Sequence, residues 1–309
     1  MSRIPVIIDC DPGHDDAIAL LMALASPKLD LRAVTVVAGN QTLEKTLDNA
    51  LKVLSFVGAQ VEVAAGAAAP LTRPLIIAPE VHGDSGLDGP VLPPPTLQPS
   101  RRSAVEVIID VTRSSEEKIT LIPTGPLTNV ASAFLLAPDI KDKIERITLM
   151  GGAAYTGNWT PSAEFNILVD PEAAHIVFSS GVPITMVGLD VTHKAQVYRR
   201  DVEALKAMGR RVARMVAELL DFFGQFHHRF GFEGSPLHDP LAVAAVIEPD
   251  IVTTRRLPVV IETKGEYTTG RTVVDFYGVT GMEPNVDVAL EVDRDRFMAM
   301  LFEAMEHFD

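Results

Sequence analysis

Asp9, Asp11, Asp15 and Asp16 fall within eight residues near the N-terminus, in the run IIDCDPGHDD. They sit where the apolar stretch Ile4–Ile8 stops and the helical pattern Ala17–Ala25 starts. A strand that apolar belongs inside a sheet, and carboxylates bunched at its end repel one another and lose hydration. A bound cation is the simplest way to keep them ionised together. The competing reading is a turn at Pro12-Gly13 and a helix N-cap from Asp15 or Asp16, but a cap needs one carboxylate and this segment offers four. Oxygen ligands without thiolates suit a hard cation, Ca²⁺ or Mg²⁺, rather than zinc. Asp11 and Asp16 can converge on one ion, Asp239 can supply a third ligand and a backbone carbonyl near Thr124 a fourth. A ligand set this large favours Ca²⁺. The chemistry expected is water activated beside the ion, with a carboxylate as base.

Other residues suit a polyol. Asn40, Asn158, Glu164 and Asn166 offer the paired donors and acceptors that vicinal sugar hydroxyls require, although Asn40 alone is also an ordinary turn residue. Alternation along Glu164-Phe165-Asn166 predicts an extended segment with both polar side chains on one side. His238, next to Asp239, is read as a general acid, whereas His14, His175 and His193 read as structural or surface residues. Phe222, Phe223, Phe226 and Phe230 on one long helix read as its buried face, with Phe226 and Phe230 also placed to line a pocket for a flat ring. Trp159, the single tryptophan, either rims that pocket or anchors the surface.

These residues need a scaffold, and the rest of the chain supplies one. Short runs rich in Val, Ile and Leu at Ile4–Ile8, Leu31–Ala38, Val61–Ala64, Ile119–Ile122, Ile147–Met150 and Ile184–Val187 alternate with helical patterns at Leu43–Val57, Ala104–Thr112, Leu127–Leu136 and Pro171–Phe178. That alternation predicts βαβ units and an α/β fold: an open, mostly parallel central sheet with helices on both faces. A long helix is expected around Leu205–Phe230, another from Pro240, β-like segments at Leu257–Ile261 and Arg271–Phe276, and a closing helix from Arg294. The proline-rich stretch Gly89–Ser100 reads as a surface loop, and residues 1–309 as a single domain. In an open parallel sheet, ligands bind beyond the carboxyl ends of the strands, which is where these polar residues fall.

Composition narrows the class. A net charge of −14 argues against nucleic acid or an anionic membrane as partner. The lone cysteine, Cys10, allows no internal disulfide, and flanking aspartates disfavour its thiolate. Met-Ser-Arg leading at once into a strand, with no apolar run long enough to span a bilayer, predicts a cytoplasmic protein.

DCDPGHDDA at residues 9–17, VVAGN, IPTGPLTN, LMGGA, AEFNILVDPEAAHIVF and LHDP occur in that order, and together they resemble the nucleoside hydrolase family of the inosine–uridine-preferring kind. The resemblance implies a Rossmann-like nucleoside hydrolase fold, hydrolysis of the N-glycosidic bond of ribonucleosides to ribose and free base, a tightly bound Ca²⁺, and a homo-oligomer (dimer or tetramer). Position by position it implies Asp11 as Ca²⁺ ligand and water-activating base, with Asp16, Asp239 and the Thr124 carbonyl as further ligands. Asp15, Asn158, Glu164 and Asn166 would hold the ribose, with Asn40 nearby and Asp9 behind the metal loop. His238 would protonate the leaving base. Val81–Gly86, including His82, resembles a loop that closes over substrate. Pyrimidine-preferring relatives tend to carry Tyr or Gln where Phe226 and Phe230 stand, and the purine-specific branch stacks the base between tryptophans, so base preference stays open. Two other readings of DxD after a first strand are an aspartyl phosphatase of the haloacid dehalogenase type, for which Pro12-Gly13 fits poorly, and a non-enzymatic nucleoside or sugar sensor.

Overall fold

The strands begin where the apolar runs begin, with boundaries shifted by one to three residues. The computed structural model describes residues 3–308; Met1 and Ser2, on which the reading of the N-terminus partly rests, lie outside them. The strands are β1 Ile4–Cys10, β2 Leu29–Val36, β3 Glu62–Ala65, β4 Ile119–Pro123, β5 Ile144–Met150, β6 Ile184–Val187, β7 Gln196–Val197, β8 Ser235–Pro236, β9 Val252–Leu257, β10 Val259–Ile261, β11 Thr272–Val274 and β12 Val286–Val292. Eight of them form one sheet in the order β3-β2-β1-β4-β5-β6-β12-β9. Every neighbouring pair is parallel except β12 with β9, so the expected α/β architecture is present. Strand order reverses on either side of β1, between β2 and β4, which makes a crevice at the carboxyl end of β1.

Both sheet faces are covered. One cluster packs Ile18, Leu21, Leu241 and Phe297 from helices against Val6, Ile8 and Val34. The other packs Ile108, Phe134 and Val177 against Ile7, Leu121 and Ile147. Alternate residues of β1 thus enter opposite cores, which is why the strand reads as a continuous apolar run.

Three expectations need correction. The helix expected over Leu205–Phe230 is two, Arg199–Ala207 and Arg211–Arg229, because Gly209 adopts φ 70 and ends the first with a left-handed turn. The segment Leu257–Ile261 is divided by Pro258, which has no N–H to continue a ladder; β9 ends before it and β10 starts after it, pairing with β11. The strand Val286–Val292 was not anticipated although it lies inside the sheet; the alternation in VDVALEV, with Val286 and Val288 buried, is the signal that marks it. The proline-rich stretch 89–100 forms the expected irregular loop.

A Cβ at Gly209 would meet nothing within 4 Å, so substitution there tests backbone conformation alone. Gly209→Ala is expected to destabilise the fold by about 1 kcal/mol, lowering Tm by roughly 2 °C. A calorimetric melt that matches the parent protein would show that the left-handed turn contributes nothing.

Candidate active site

β1 carries Asp9 as its penultimate residue and hands Asp11 to the turn that starts the helix His14–Ala25. Asp15 and Asp16 lie in the first turn of that helix, and Asp239 is the first residue of the helix Asp239–Ile247. Two helix N-termini therefore meet at one group of carboxylates, and their dipoles partly offset its charge. The expected N-cap is not an aspartate: Gly13 caps the helix and Asp16, three residues on, accepts its N–H at 3.0 Å.

Asp11, Asp15, Asp16 and Asp239 are all at most 4 % exposed. Burial is the largest cause raising the proton affinity of each, and their mutual repulsion adds to it: Asp15 is pushed up to about 7, and Asp11 and Asp239 well above the usual carboxylate range. Carboxylate oxygens of Asp15, Asp16 and Asp239 lie within 4.8 Å of one another. The recorded donors to this group are neutral. Asn40 gives its backbone N–H to Asp11 Oδ2 at 2.6 Å and its side-chain amide to Asp16 Oδ2 at 3.2 Å, and the Thr124 hydroxyl donates to Asp16 Oδ1 at 2.8 Å. Asp11 Oδ1 is buried with no hydrogen-bond partner among the described residues. Asp11 is not one of those three, but Asn40 bridges it to Asp16, and an orphaned carboxylate oxygen joined in this way to a clustered trio fits a hard divalent cation.

Asp11 is held in a slot between two glycines. A Cβ built on Gly39 would fall 2.2 Å from Asp11 Oδ2, and one on Gly125 would fall 2.5 Å from Oδ1. Asp9 sits behind it, with Oδ1 accepting from Thr35 Oγ1 at 2.6 Å and Asn129 Nδ2 at 2.8 Å; burial raises it to about 7.

Beside the carboxylates opens a cleft of about 600 Å³ with its open mouth included. Asp15 and Asp239 line it together with Asn40, Thr124, Asn158, Glu164 and Asn166. His82, Phe223, Phe226, His227 and His238, whose rings adjoin one another, also line it, as does Trp159, edge-on to Phe165. Glu164 and Asn166 do meet in the cleft, but not through the extended segment expected. Phe165–Val169 is a helical turn that Glu164 caps, accepting from the N–H groups of Gly152, Asn166 and Ile167. Those bonds hold the Glu164 carboxyl in place while burial raises it to about 7. Asn166 Nδ2 donates to the Thr124 carbonyl at 2.7 Å, so that carbonyl keeps one lone pair for another partner. Asn40, with its amide spent on the Asp11 backbone and on Asp16, braces the carboxylate loop rather than presenting a free clamp.

Phe230 departs from expectation: it is 68 % exposed and outside the cleft lining, because Arg229 ends the helix, and its ring packs on Phe226 at 4.8 Å. Its place is taken by His227, which sequence reasoning missed. His227 follows Phe223 by one helical turn, and that spacing on an apolar face is the signal that would have found it. His227 Nδ1 lies 3.1 Å from the Phe223 carbonyl, which can only accept, so Nδ1 carries a proton and Nε2 is the acceptor in the neutral ring. Burial lowers His227 to about 4, so the neutral ring is the one present at neutral pH. His14, expected to be structural or surface, is buried; it stacks on Phe222 at 5.1 Å and its Nδ1 lies 3.2 Å from His82 Nδ1. His82 ends the short helix Pro79–His82, and the following loop is tied down through Gln41, Asn49 and Asp88. His238 is buried and held neutral by that burial, with Nδ1 2.8 Å from Thr192 Oγ1.

This geometry has close relatives. Residues 6–299 match the family model described as inosine-uridine preferring nucleoside hydrolase. The pyrimidine-specific ribonucleoside hydrolase RihA of Enterobacter sp. is 54 % identical over 99 % of this chain and 98 % of its own length. Its namesake from Salmonella typhimurium is 53 % identical over 99 % of each chain. Among solved structures, a purine-preferring ribonucleoside hydrolase from Gardnerella vaginalis superposes with a TM-score of 0.92 at 34 % identity, covering 97 % of this chain and 98 % of that one. A plant nucleoside hydrolase superposes at 0.91 and 32 %, covering 98 % and 99 %. No helix among the described residues is long and apolar enough to cross a membrane. The chain belongs to the inosine–uridine-preferring nucleoside hydrolase family and is a nucleoside hydrolase.

Proposed function

We propose that this enzyme is a Ca²⁺-dependent hydrolase of pyrimidine ribonucleosides in which Asp11 takes the proton from the attacking water and His238 serves the leaving base. The observation that carries the reading is Asp11 Oδ1, buried and unpartnered among the described residues, on a carboxylate that Asn40 bridges to Asp16 of the Asp15, Asp16 and Asp239 group. Ca²⁺ would be held by Asp11, Asp16, Asp239 and the free lone pair of the Thr124 carbonyl. When bound, it supplies positive charge that keeps the carboxylates ionised and acidifies water. Asp15 is assigned to the ribose by the family resemblance; like Asp239 it lines the cleft, whereas Asp11 and Asp16 do not.

In the proposed reaction the water oxygen bonds to the anomeric carbon and its proton passes to Asp11. The C–N bond electrons leave with the base. Asp15, Asn158, Glu164 and Asn166 hold the ribose hydroxyls, and contacts that tighten as the ring flattens place binding energy in the transition state. The surrounding carboxylates stabilise the oxocarbenium-like sugar. As negative charge develops on the base, His238 presents an N–H from a neutral imidazole, a donor that becomes effective as that charge appears. His82, Phe223, Phe226 and His227 form the wall for the base. Pyrimidine preference is supported by relatives at 53–54 % identity that are named pyrimidine-specific, against 34 % for the purine-preferring structure. Assembly as a dimer or tetramer and a cytoplasmic location belong to the same proposal.

Asp11→Ala is expected to lower kcat for uridine by about 10³-fold or more with the fold intact. Near-normal release of reducing sugar would overturn the role of Asp11. In a panel of uridine, cytidine, inosine and adenosine, kcat/KM should favour the two pyrimidines, and a chelator should abolish turnover of all; faster inosine cleavage would reverse the base assignment. Gly125→Ala, which drives a methyl into Asp11 Oδ1, is expected to cut kcat/KM by about 100-fold while changing stability by no more than about 3 kcal/mol.

Stability should also carry the mark of the buried carboxylates. Asp9 and Asp15 are raised to about 7, above their unfolded range, so between those values the cation-free native state binds more protons than the unfolded state. Their contribution is therefore full below about pH 4 and lost as pH rises through about 7. In chelator, Tm should fall between about pH 5 and pH 8, and added Ca²⁺ should raise it more at the higher pH. A Tm that climbs with pH in chelator would contradict this.

A further inference from the structure

The mechanism proposed above uses His238 but leaves open what aims it. Thr192 is the last residue of the short helix Leu189–Thr192 after β6; it is fully buried and lies outside the cleft lining. Its hydroxyl is 2.8 Å from His238 Nδ1, and no other side-chain bond to that imidazole is recorded among the described residues. With Nδ1 engaged from behind, Nε2 is the ring nitrogen left for the cleft that His238 lines.

We propose that Thr192 is the positioning residue of the reaction: it fixes the orientation of His238 so that Nε2 faces the leaving base. The inference rests on the reading of His238 as the group serving that base. Backbone pairing supports it by setting the approach of the two residues. The chain leaves Thr192, enters β7, and β7 pairs antiparallel with β8 immediately before His238, with Gln196 opposite Pro236 and Val197 opposite Ser235. The Leu237 N–H then donates to the Ala195 carbonyl at 3.0 Å. His238 follows this ladder after Leu237, and Thr192 precedes it across the turn 193–195, so the pairing brings the two segments side by side.

The hydroxyl suits the task chemically. It donates to Nδ1 when that nitrogen is bare, which places the ring proton on Nε2, and it accepts from Nδ1 when that nitrogen is protonated. The same contact therefore survives in either neutral tautomer, and with the proton on Nε2 the ring offers that N–H as a hydrogen bond to the base as it leaves with the C–N electrons. A carboxylate in this place would favour the imidazolium throughout. A threonine holds the ring without fixing its charge, which matches a cleft already crowded with carboxylates.

The test compares Thr192→Val, which keeps shape and removes the hydroxyl, with Thr192→Ser, which keeps the hydroxyl, and with His238→Ala. Each is assayed on uridine and on p-nitrophenyl β-ribofuranoside, whose leaving group departs without a proton. Thr192→Val should lower kcat on uridine about 10- to 100-fold with KM within about threefold, while Thr192→Ser stays within about threefold in both. On the nitrophenyl riboside both Thr192→Val and His238→Ala should stay near the parent rate. Uridine turnover by Thr192→Val within about twofold of the parent, or an equal loss on both substrates, would overturn the role of Thr192. Unchanged uridine turnover by His238→Ala would instead overturn the reading of His238 on which the inference stands. If Thr192→Val does not fold, as judged by its circular dichroism melt, Thr192→Ala against Thr192→Ser decides on the same ratio of rates.

Discussion

Like charge gathered in a dry place is the constraint around which this molecule is built. Asp11, Asp15, Asp16 and Asp239 are all buried, and the hydrogen bonds recorded to Asp11 and Asp16 come from neutral amides and a hydroxyl. Desolvation and mutual repulsion both disfavour ionisation there. A protein that kept this arrangement for stability alone would be better served by apolar residues of the same volume. Two helix N-termini, an orphaned Asp11 oxygen and donors aimed at the remaining lone pairs fit a site whose charge is balanced by something bound.

The scaffold makes that crowding possible. β1 is flanked by β2 and β4 where strand order reverses, so the loops after those three strands converge on one crevice. Asp11 arrives from β1, Gly39 and Asn40 follow β2, and Thr124 and Gly125 follow β4. The carboxylate of Asp11 fits only because Gly39 and Gly125 leave room where a Cβ would stand. The buried Asp9, bonded to Thr35 and Asn129, ties β1, β2 and the helix Thr128–Leu136 together directly beneath the site.

Rings line and back part of the cleft, with His82, Phe223 and His227 in its lining and His14 and Phe222 packed against them. His14, His82, Phe222 and Phe223 stack at centroid distances of 5.1–5.6 Å, and His227 joins edge-on to Phe223 at 4.4 Å. Burial lowers the proton affinity of His14, His82, His227 and His238, so these rings are neutral at neutral pH. The cleft lining thus combines neutral, aromatic, hydrogen-bonding groups with carboxylates. The carboxylates suit a sugar that becomes cationic and the rings suit a flat base.

Much of this was legible in the residues alone. The apolar runs marked six strands of the sheet, because a strand buried on both faces has few alternatives in its residue types, and the carboxylates fell at strand ends where a parallel sheet places its ligands. The surplus of aspartates around Asp11 announced a charged site on chemistry alone. Other features depended on contacts between distant segments. Nothing local distinguishes Phe230, which faces solvent, from Phe226, which lines the cleft; the end of the helix at Arg229 decides it. His14 acquires its stacking partners 68 residues away or more, and Thr192 meets His238 across 46 residues through a two-strand ladder. Glu164 and Asn166 reach the cleft from a helical turn rather than a strand because three backbone N–H groups converge on the Glu164 carboxyl, one of them from Gly152. The sequence by itself determined which groups carry charge and which segments must be buried, since both follow from side-chain chemistry and short-range periodicity. Which neutral groups surround that charge, and which nitrogen of each histidine meets the cleft, only the tertiary structure decided, because a hydrogen-bond partner is set by where the chain returns.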